Sequence, residues 1–241
     1  MGVSKVYCAV LAGGSGTRMK SPLPKQFMML GNAPVFIHSI RTLLKDERIE
    51  QLWIGSNGDW LDLAKEQLEK YLGENERVRL CEGGADREGT FLKVMEGIKS
   101  ENDISDDDIV LIHDAVRPFV NTRIIDDVIN EMANCDACNT VVPVNDTISR
   151  VGTDGIVIDI PNRAELFAGQ SPQGFKINKL MNAFASLDEN TRKILTDTTK
   201  VCLSQGMEVH TVKGEFYNFK ITTPYDLEVA THVLAWIESI L

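Results

Sequence analysis

The sequence predicts an α/β protein in which a mostly parallel sheet carries helices on both faces. Short runs rich in β-branched residues alternate with segments of helical spacing along most of the 241 residues, a pattern typical of such sheets. Hydrophobic residues make up 43% of the chain, enough for an ordinary globular core. A glycine-rich loop follows the first strand-like run, where ligand loops lie in open parallel sheets.

The alternation can be followed element by element. We expect strands at 5–11, 51–54, 78–81, 108–113, 139–144 and 208–212. We expect helices at 34–44, 59–72, 87–98, 122–132, 178–187 and 191–204. The last helix should begin near Thr223, with Thr223 as its N-cap, Pro224 in the first helical position and Asp226 in the first turn.

The segment 145–175 interrupts this rhythm. Two short β-rich pieces, 147–151 and 156–160, flank Asp154-Gly155, a pair typical of hairpin turns. No linker or repeat separates the segment from the rest. We therefore predict a single domain over 1–241, with 145–175 as an inserted β-arm.

Charge and composition exclude several classes of protein. The 25 basic and 35 acidic residues give a net charge of −10 without a basic stripe, which argues against a nucleic-acid partner. No apolar run reaches the ~18 residues of a membrane span. The first residues lack the three regions of a signal peptide, so we expect a cytoplasmic protein.

The cysteines and histidines give little indication of chemistry. Five scattered cysteines do not form a disulfide framework, and Cys135-x-x-Cys138 lacks the second pair of a zinc site. We interpret Cys135 and Cys138 as small residues between a helix and a strand. His38 is expected to be structural, His210 has no partner that the sequence identifies, and the acidic run 106–108 is expected to be a solvated turn.

The glycine loop is the strongest functional signal. Its residues after the first strand lack the Lys-Ser/Thr pair of a P-loop, and Met19 stands where a dinucleotide fingerprint has its third glycine. A dehydrogenase that uses a nicotinamide cofactor is therefore disfavoured. Arg18 follows the loop, and prolines hold Lys25 nearby, so two cations accompany backbone donors that can approach a phosphate.

The loop also carries a resemblance that extends over essentially the whole chain. Further motifs follow it in order: Pro24-Lys25-Gln26-Phe27, Gly83-Gly84-Ala85-Asp86-Arg87, His113-Asp114-Ala115-Val116-Arg117-Pro118-Phe119, Asp146-Thr147, Ile160-Pro161-Asn162-Arg163, Gly169-Gln170-Ser171-Pro172-Gln173-x-Phe175, Thr196-Asp197 and Lys220-Ile221-Thr222-x-Pro224. Together they resemble the polyol-phosphate cytidylyltransferases, which have the Rossmann-like nucleotide-diphospho-sugar transferase fold.

The resemblance implies a reaction in which a phosphate monoester attacks the α-phosphorus of CTP and pyrophosphate leaves. It implies that Mg²⁺ is the cofactor and Asp114 its ligand, a placement that also suits a carboxylate at a strand's carboxyl end. The implied catalytic cations are Arg18, Lys25 and Lys220. The implied nucleotide-binding residues are Leu11, Ala12, Gly13, Gly14, Gly16, Thr17, Gly83, Gly84, Arg87 and Thr90. The implied acceptor-binding residues are Arg117, Asp146, Thr147, Arg163 and Thr196.

The acceptor and the assembly follow from finer features of the resemblance. Ala12-Gly13-Gly14 and Ile160-Pro161-Asn162-Arg163 are similar to ribitol-5-phosphate cytidylyltransferases, which supply teichoic-acid or capsule synthesis. Ala115 is instead similar to the methylerythritol-phosphate branch, and Ser171 replaces a usual threonine. We favour ribitol 5-phosphate and keep methylerythritol 4-phosphate, or an inactive nucleotide-binding homologue, as alternatives. The family further implies a homodimer with exchanged arms, in which Arg163 reaches the partner's acceptor pocket.

Overall fold

The computed structural model describes residues 4–14, 16–188 and 197–240, and a central eight-stranded sheet dominates it. The strands of that sheet are β1 Val6–Ala12, β4 Ile49–Ser56, β5 Val78–Glu82, β6 Ile109–Asp114, β7 Ala137–Pro143, β10 Phe167–Gly169, β11 Gln173–Lys176 and β12 His210–Lys213. Two small pairs stand apart from it: β2 Met29–Leu30 with β3 Ala33–Pro34, and β8 Arg150–Val151 with β9 Val157–Asp159.

The sheet is mixed but mostly parallel, as predicted. β1 lies between β4 and β6 and is parallel to both, β4 is parallel to β5, and β12 is parallel to β7. β11 runs antiparallel between β6 and β7, and β10 is antiparallel to β7. The carboxyl ends of β1, β4, β5 and β6 therefore meet at one edge, where ligands bind in such sheets.

Helices cover both faces of the sheet. The described helices are α1 Val35–Leu43, α2 Leu61–Leu72, α3 Arg87–Glu101, α4 Thr122–Glu131, α5 Ile177–Ala185, and two further helices, Thr198–Ser204 and Pro224–Ile240. The first part of the helix expected over 191–204 lies outside the described residues. None of the described helices is long and apolar enough to cross a bilayer.

The alternation of side chains along β1 explains the two faces. Cys8 and Val10 pack in one core with α1, α2 and α4, whereas Tyr7 and Ala9 pack in a second core with α3 and α5. Successive residues of a strand point to opposite sides of a sheet. A strand that is apolar at every position, as β1 is, must therefore be buried on both sides.

The C-terminal helix begins as the sequence predicts. The hydroxyl of Thr223 accepts a hydrogen bond from the backbone N–H of Asp226 at 3.4 Å, and the Asp226 carboxylate accepts from the N–H groups of Thr222 and Thr223 at 2.8 Å each. These are the reciprocal bonds of a capping box, in which Thr223 is the N-cap and Asp226 is the third helical residue. They confirm a structural role for Asp226.

The predicted arm is a hairpin over only part of its length. β8 and β9 are antiparallel, and Gly155 in the turn has φ +80°, as the Asp-Gly signal predicts. The last third of 145–175 differs from the expectation, because β10 and most of β11 pair with β6 and β7 in the central sheet. We call residues 144–166, which contain this hairpin, the projecting segment.

Two smaller expectations have opposite outcomes. His38 is structural, as predicted, since its Nε2 lies 2.8 Å from the carbonyl oxygen of Leu30. The expectation of a solvated acidic turn is wrong for Asp108, which is buried and accepts hydrogen bonds from the backbone N–H groups of Lys5 and Ser105 at 2.9 Å each. These two donors satisfy the hydrogen-bonding capacity that burial would otherwise leave without partners.

Candidate active site

A cavity of about 350 Å³ opens at the carboxyl ends of β1, β4 and β6. It contains most of the predicted nucleotide-binding and catalytic residues, brought together from distant parts of the chain. The predicted residues that line it are Leu11, Ala12, Gly13, Gly14, Gly16, Arg18, Lys25, Arg87, Thr90, Asp114 and Lys220. The location agrees with the rule for ligand sites in open parallel sheets.

Two glycines of the loop are required by its geometry. A Cβ added to Gly13 would lie 2.5 Å from the Thr90 hydroxyl oxygen, which is buried beneath the loop. Gly16 has φ +66°, a left-handed conformation that other residues rarely adopt. The loop can therefore bring its backbone close to a ligand at these positions without a side chain in the way.

Gln26, to which sequence analysis assigned no role, holds the loop in place. Its side-chain amide donates to the carbonyl oxygens of Ala12 at 2.7 Å and Gly14 at 3.0 Å, and the residue is almost completely buried. A buried amide between two loop carbonyls fixes their positions before any ligand arrives. The motif Pro24-Lys25-Gln26-Phe27 was the available signal, although its glutamine had no assigned contact.

The amino end of α3 also lines the cavity, beside the loop. Asp86 caps this helix by accepting from the N–H of Gly89 at 2.7 Å, and the Thr90 hydroxyl donates to the carbonyl oxygen of Asp86 at 2.7 Å. Ala85, Asp86 and Arg87 all line the cavity. The positive end of a helix dipole and the Arg87 guanidinium both favour an anion there.

Asp114, the last residue of β6, is surrounded by cations. Its Oδ1 lies 3.3 Å from Arg87 Nε, and its Oδ2 lies 3.3 Å from Arg117 Nε and 3.1 Å from Lys220 Nζ. Burial alone would raise the pKa of this carboxyl, but the charges of Lys220, Arg87 and Arg117 outweigh burial and hold the pKa well below its usual range. Asp114 is thus a buried carboxylate that stays ionised.

A chain of buried hydrogen bonds fixes the backbone at Asp114. Its N–H donates to the Ser171 hydroxyl at 3.1 Å, and that hydroxyl lies 3.0 Å from His113 Nδ1. His113 Nε2 in turn lies 3.2 Å from the carbonyl oxygen of Arg117. Burial lowers the pKa of His113 to about 4, so the ring is neutral, accepts at Nδ1 and donates from Nε2. His113 is therefore structural here.

Lys25 is a buried cation at the floor of the cavity. Only 7% of the residue is exposed. Burial, followed by the nearby charges of Lys220 and Arg18, lowers its pKa to about 8. Because burial and these charges disfavour the protonated form of Lys25, a bound polyanion would stabilise that form strongly. The cavity thus concentrates positive charge in a protein whose net charge is −10.

Arg117, Gly83 and Gly84 are not among the residues that line the cavity directly. Arg117 lies behind Asp114, where it also donates to the carbonyl oxygens of Asn218 at 3.0 Å and Gly169 at 3.3 Å. Gly83 and Gly84 come directly before the lining residue Ala85. Thr17 belongs to a short 3₁₀ helix after the loop.

The predicted acceptor residues are not gathered at the cavity within this one chain. Asp146, Thr147 and Arg163 are exposed on the projecting segment, and Arg163 Nη1 donates to the carbonyl oxygen of Asn145 at 2.9 Å. Thr196 lies outside the described residues, but its neighbour Asp197 caps the helix Thr198–Ser204 by accepting from the N–H of Thr199 at 2.8 Å.

The cavity also includes residues to which the sequence assigned no binding role. They are Gln26, Asn57, Ala85, Asp86, Val116 and Thr222. Asn57 directly follows β4, so its place at a strand's carboxyl end was the signal for it. Its side chain accepts from the N–H of Asp59 at 2.8 Å, which starts the next helical turn.

Comparison with protein families identifies a match along nearly the whole chain. Residues 6–235 match the family model described as IspD: 2-C-methyl-D-erythritol 4-phosphate cytidylyltransferase. A ribitol-5-phosphate cytidylyltransferase of Lactiplantibacillus plantarum is 42% identical over 94% of this chain and 97% of its own length. One of Streptococcus pneumoniae is 42% identical over 95% of this chain and 98% of its own.

Solved structures of similar fold bear names from the methylerythritol branch. The 4-diphosphocytidyl-2C-methyl-D-erythritol synthase of Anaerococcus prevotii has a TM-score of 0.79 and 26% identity, covering 96% of this chain and 99% of that one. The 2-C-methyl-D-erythritol 4-phosphate cytidylyltransferase of Francisella tularensis also has a TM-score of 0.79, covers 95% and 99%, and at 24% identity shows the shared fold.

Proposed function

Because this chain belongs to the IspD family of cytidylyltransferases, we propose that it transfers the cytidylyl group of CTP to D-ribitol 5-phosphate. The products would be CDP-ribitol and pyrophosphate. One observation carries the choice of acceptor: relatives that are 42% identical along almost their whole length are named ribitol-5-phosphate cytidylyltransferases. The product would serve as an activated precursor for teichoic acid or capsule.

In the proposed reaction, an oxygen of the ribitol phosphate attacks the α-phosphorus of CTP. The new P–O bond forms as the bond to the β-phosphate oxygen breaks, and pyrophosphate leaves with that electron pair. Negative charge increases on the transferring group and on the leaving oxygen, so preorganised cations are the main source of catalysis. Lys25, Arg18 and Lys220 line the same cavity and supply this charge.

The glycine loop would hold the nucleotide. Its backbone N–H groups can approach the phosphates at Gly13, Gly14 and Gly16, because two of these positions exclude a side chain. Thr90, buried at the base of the loop, sets the space available there. Arg87 and the amino end of α3, which line the same cavity, would also favour this anion.

Asp114 fits the magnesium that the family implies. It is a buried, ionised carboxylate that lines the cavity, and Mg²⁺ prefers one or two carboxylates with phosphate oxygens and waters. Asp114 would hold the metal, which would supply positive charge that offsets part of the negative charge of the triphosphate. Lys220 and Arg87, whose side chains contact the Asp114 carboxylate, supply further positive charge beside it.

The acceptor half of the site would be completed by a second copy of the chain. The projecting segment exposes Ile156, Ile158 and Ile160 to 63%, 62% and 59%. Three large apolar residues on one small hairpin are more stable against a partner than in water. We propose a two-fold dimer with exchanged segments, in which Asp146, Thr147 and Arg163 reach the partner's acceptor pocket.

A direct assay tests the proposal. The purified protein should release pyrophosphate from CTP only when Mg²⁺ and ribitol 5-phosphate are both present. Methylerythritol 4-phosphate, in a parallel reaction, represents the second candidate, which the family description and the fold neighbours favour. Faster turnover with methylerythritol 4-phosphate would reassign the acceptor. No turnover with either phosphate would favour an inactive nucleotide-binding homologue.

A further inference from the structure

Three side chains meet at the edge of the sheet opposite the cavity. They are Glu131 at the end of α4, Cys135 in the turn that follows, and His210, the first residue of β12. One ligand atom from each lies within 4.8 Å of the others. β11 is antiparallel to both β6 and β7, so β7 is parallel to β6 and begins far from Asp114. His210 pairs with Cys138 near that beginning.

The fold holds these groups together through local contacts. His210 Nδ1 lies 2.6 Å from Glu131 Oε1, and the Cys135 thiol donates to the backbone carbonyl of Glu131 at 3.3 Å. The thiol is therefore kept against the last turn of α4, which also carries the carboxylate. Each of the three residues is half-buried, so a small ion can reach them from solvent.

We propose that Glu131, Cys135 and His210 form a zinc site. Thiolate, imidazole and carboxylate are the side chains that bind Zn²⁺ in proteins, and three protein ligands with one water is an established arrangement. The Glu131 and His210 side chains are 29% and 32% exposed, which leaves room for that water. The cytidylyl transfer proposed above uses none of these residues, so the zinc would have no part in that reaction.

A fourth residue supports the assignment. Glu208 Oε1 lies 3.4 Å from His210 Nε2, the ring nitrogen that faces away from Glu131. A metal-binding histidine usually donates its other ring N–H to a carboxylate, which fixes the tautomer and the ring orientation. His210 thus has one nitrogen directed at the candidate ligands and the other beside an acceptor.

Zinc binding requires only small movements. In a tetrahedral site, the nitrogen and oxygen ligands are about 3.3 Å apart, given metal–ligand distances of roughly 2.1 Å. Nδ1 of His210 and Oε1 of Glu131 would therefore separate from their present 2.6 Å by less than one bond length. Cys138, the other cysteine of the C-x-x-C, is fully buried in the core and does not join the cluster.

The test uses tag-free, full-length protein that has been stripped of metal and dialysed against Zn²⁺. Elemental analysis should find one zinc per chain, and Co²⁺ should give a thiolate-to-metal charge-transfer band. Cys135→Ser should remove the band, and His210→Gln should weaken zinc binding at least about tenfold. Cys81→Ser and His232→Gln are matched controls, because neither residue belongs to the cluster. Cys138→Ala should bind zinc like the wild type.

A second readout does not depend on the enzyme's activity. Zn²⁺ should raise the Tm of the wild-type protein, since a ligand that binds only the folded state stabilises it, and it should not raise the Tm of His210→Gln. Less than about a tenth of an equivalent of zinc in the wild type, or unchanged binding in Cys135→Ser and His210→Gln, would overturn the proposal. Loss of zinc in Cys138→Ala would also overturn it, because the C-x-x-C pair would then be the binding unit.

Discussion

The cavity and the projecting segment differ in how much of their structure one chain supplies. At the cavity, Lys25 and Asp114 are only 7% and 8% exposed, although both are ionisable. On the projecting segment, Ile156 and Ile158 are more than 60% exposed, although both are apolar. Ionisable side chains are usually exposed and large apolar ones are usually buried, so each region reverses the usual distribution. A single chain surrounds the buried carboxylate of Asp114 with cations of its own, whereas it leaves the apolar hairpin uncovered.

This difference divides the proposed site into two halves. The nucleotide half is prepared in advance: Gln26 holds the loop carbonyls, and the Ser171–His113 pair holds the turn at Asp114. The acceptor half is presented outward, with Arg163 held to the backbone of its own segment. The division predicts that substitutions at the cavity affect every chain independently, while those on the projecting segment affect the neighbouring chain.

The largest expected effect comes from removing the buried cation. Lys25→Ala should lower kcat by roughly 10²-fold or more, because the loss of one preorganised charge contact in a water-excluded site costs a few kcal/mol. Steady-state pyrophosphate release at saturating CTP measures it. Lys20→Asn is the control, since Lys20 is exposed and asparagine tolerates its left-handed backbone at φ 51°. Equal effects of the two substitutions would contradict the role of Lys25.

A smaller effect is expected at the carboxylate. Asp114→Asn should raise the Mg²⁺ concentration for half-maximal rate by about tenfold or more, because a neutral amide binds a hard cation weakly. A magnesium titration of the initial rate measures it, with Asp103→Asn as the exposed control. If kcat falls while the magnesium dependence stays unchanged, Asp114 only positions Lys220 and Arg87 and does not bind the metal.

Sequence patterns predicted the layers of the fold well, because buried strands and amphipathic helices leave periodic signals. The error at 145–175 has a physical cause. Gln173–Lys176 is a short strand that pairs antiparallel with β6 and β7, and four residues are too few for their alternation to indicate which sheet they join. Asp108 was assigned to solvent because nothing local shows that Lys5, 103 residues away, donates to it.

The candidate site was predictable where its residues lie at strand ends or in motifs. Arg18, Lys25, Asp114 and Lys220 all line the cavity. Contacts that depend on three-dimensional proximity were not predictable. The sequence gives no sign that His210 lies beside Glu131, because the two residues are 79 positions apart in the chain.

Subunit mixing tests the division between the two halves directly. Arg163→Ala and Lys25→Ala should each be nearly inactive as pure proteins. If Arg163 acts in the partner's site, a mixed dimer has one site with both defects and one intact site. Random exchange should then restore about a quarter of wild-type activity, by counting sites in a two-fold dimer. Native mass spectrometry of size-labelled subunits confirms that exchange has occurred.

The matched control for mixing is Arg163→Ala combined with Asp114→Asn instead of Lys25→Ala. Because Asp114 and Lys25 line the same cavity, both mixtures with Arg163→Ala should regain activity at their intact sites. The gain should be larger for the cavity variant that is less active by itself. Mixing Lys25→Ala with Asp114→Asn should restore nothing beyond the average of the two. Absence of recovery with Arg163→Ala, despite demonstrated exchange, would place Arg163 in its own subunit's site and remove the proposed difference between the halves.

The smallest effect, about twofold near pH 8, concerns the charge of Lys25. Burial and the neighbouring cations Lys220 and Arg18 lower the pKa of Lys25 to about 8. The protonated form is the active one, so kcat/KM should fall by half at about pH 8 and tenfold for each further unit, since kcat/KM reports the free enzyme. The second ionisation of the acceptor phosphate, at about pH 6, affects only the acidic limb.

Bound CTP should shift this fall in activity, the alkaline limb of the pH profile, to higher pH. The triphosphate adds negative charge beside the ammonium, which favours its protonated form, so kcat should keep its value to a higher pH than kcat/KM does. In Lys25→Arg, any remaining activity should lack the limb near pH 8, because a guanidinium stays charged. Projecting-segment variants such as Ile158→Ala should leave the limb of kcat/KM at the same pH, because that pKa is set within one cavity. If such a variant instead shifts the pH at which kcat/KM falls, the partner chain contributes to the charge at Lys25.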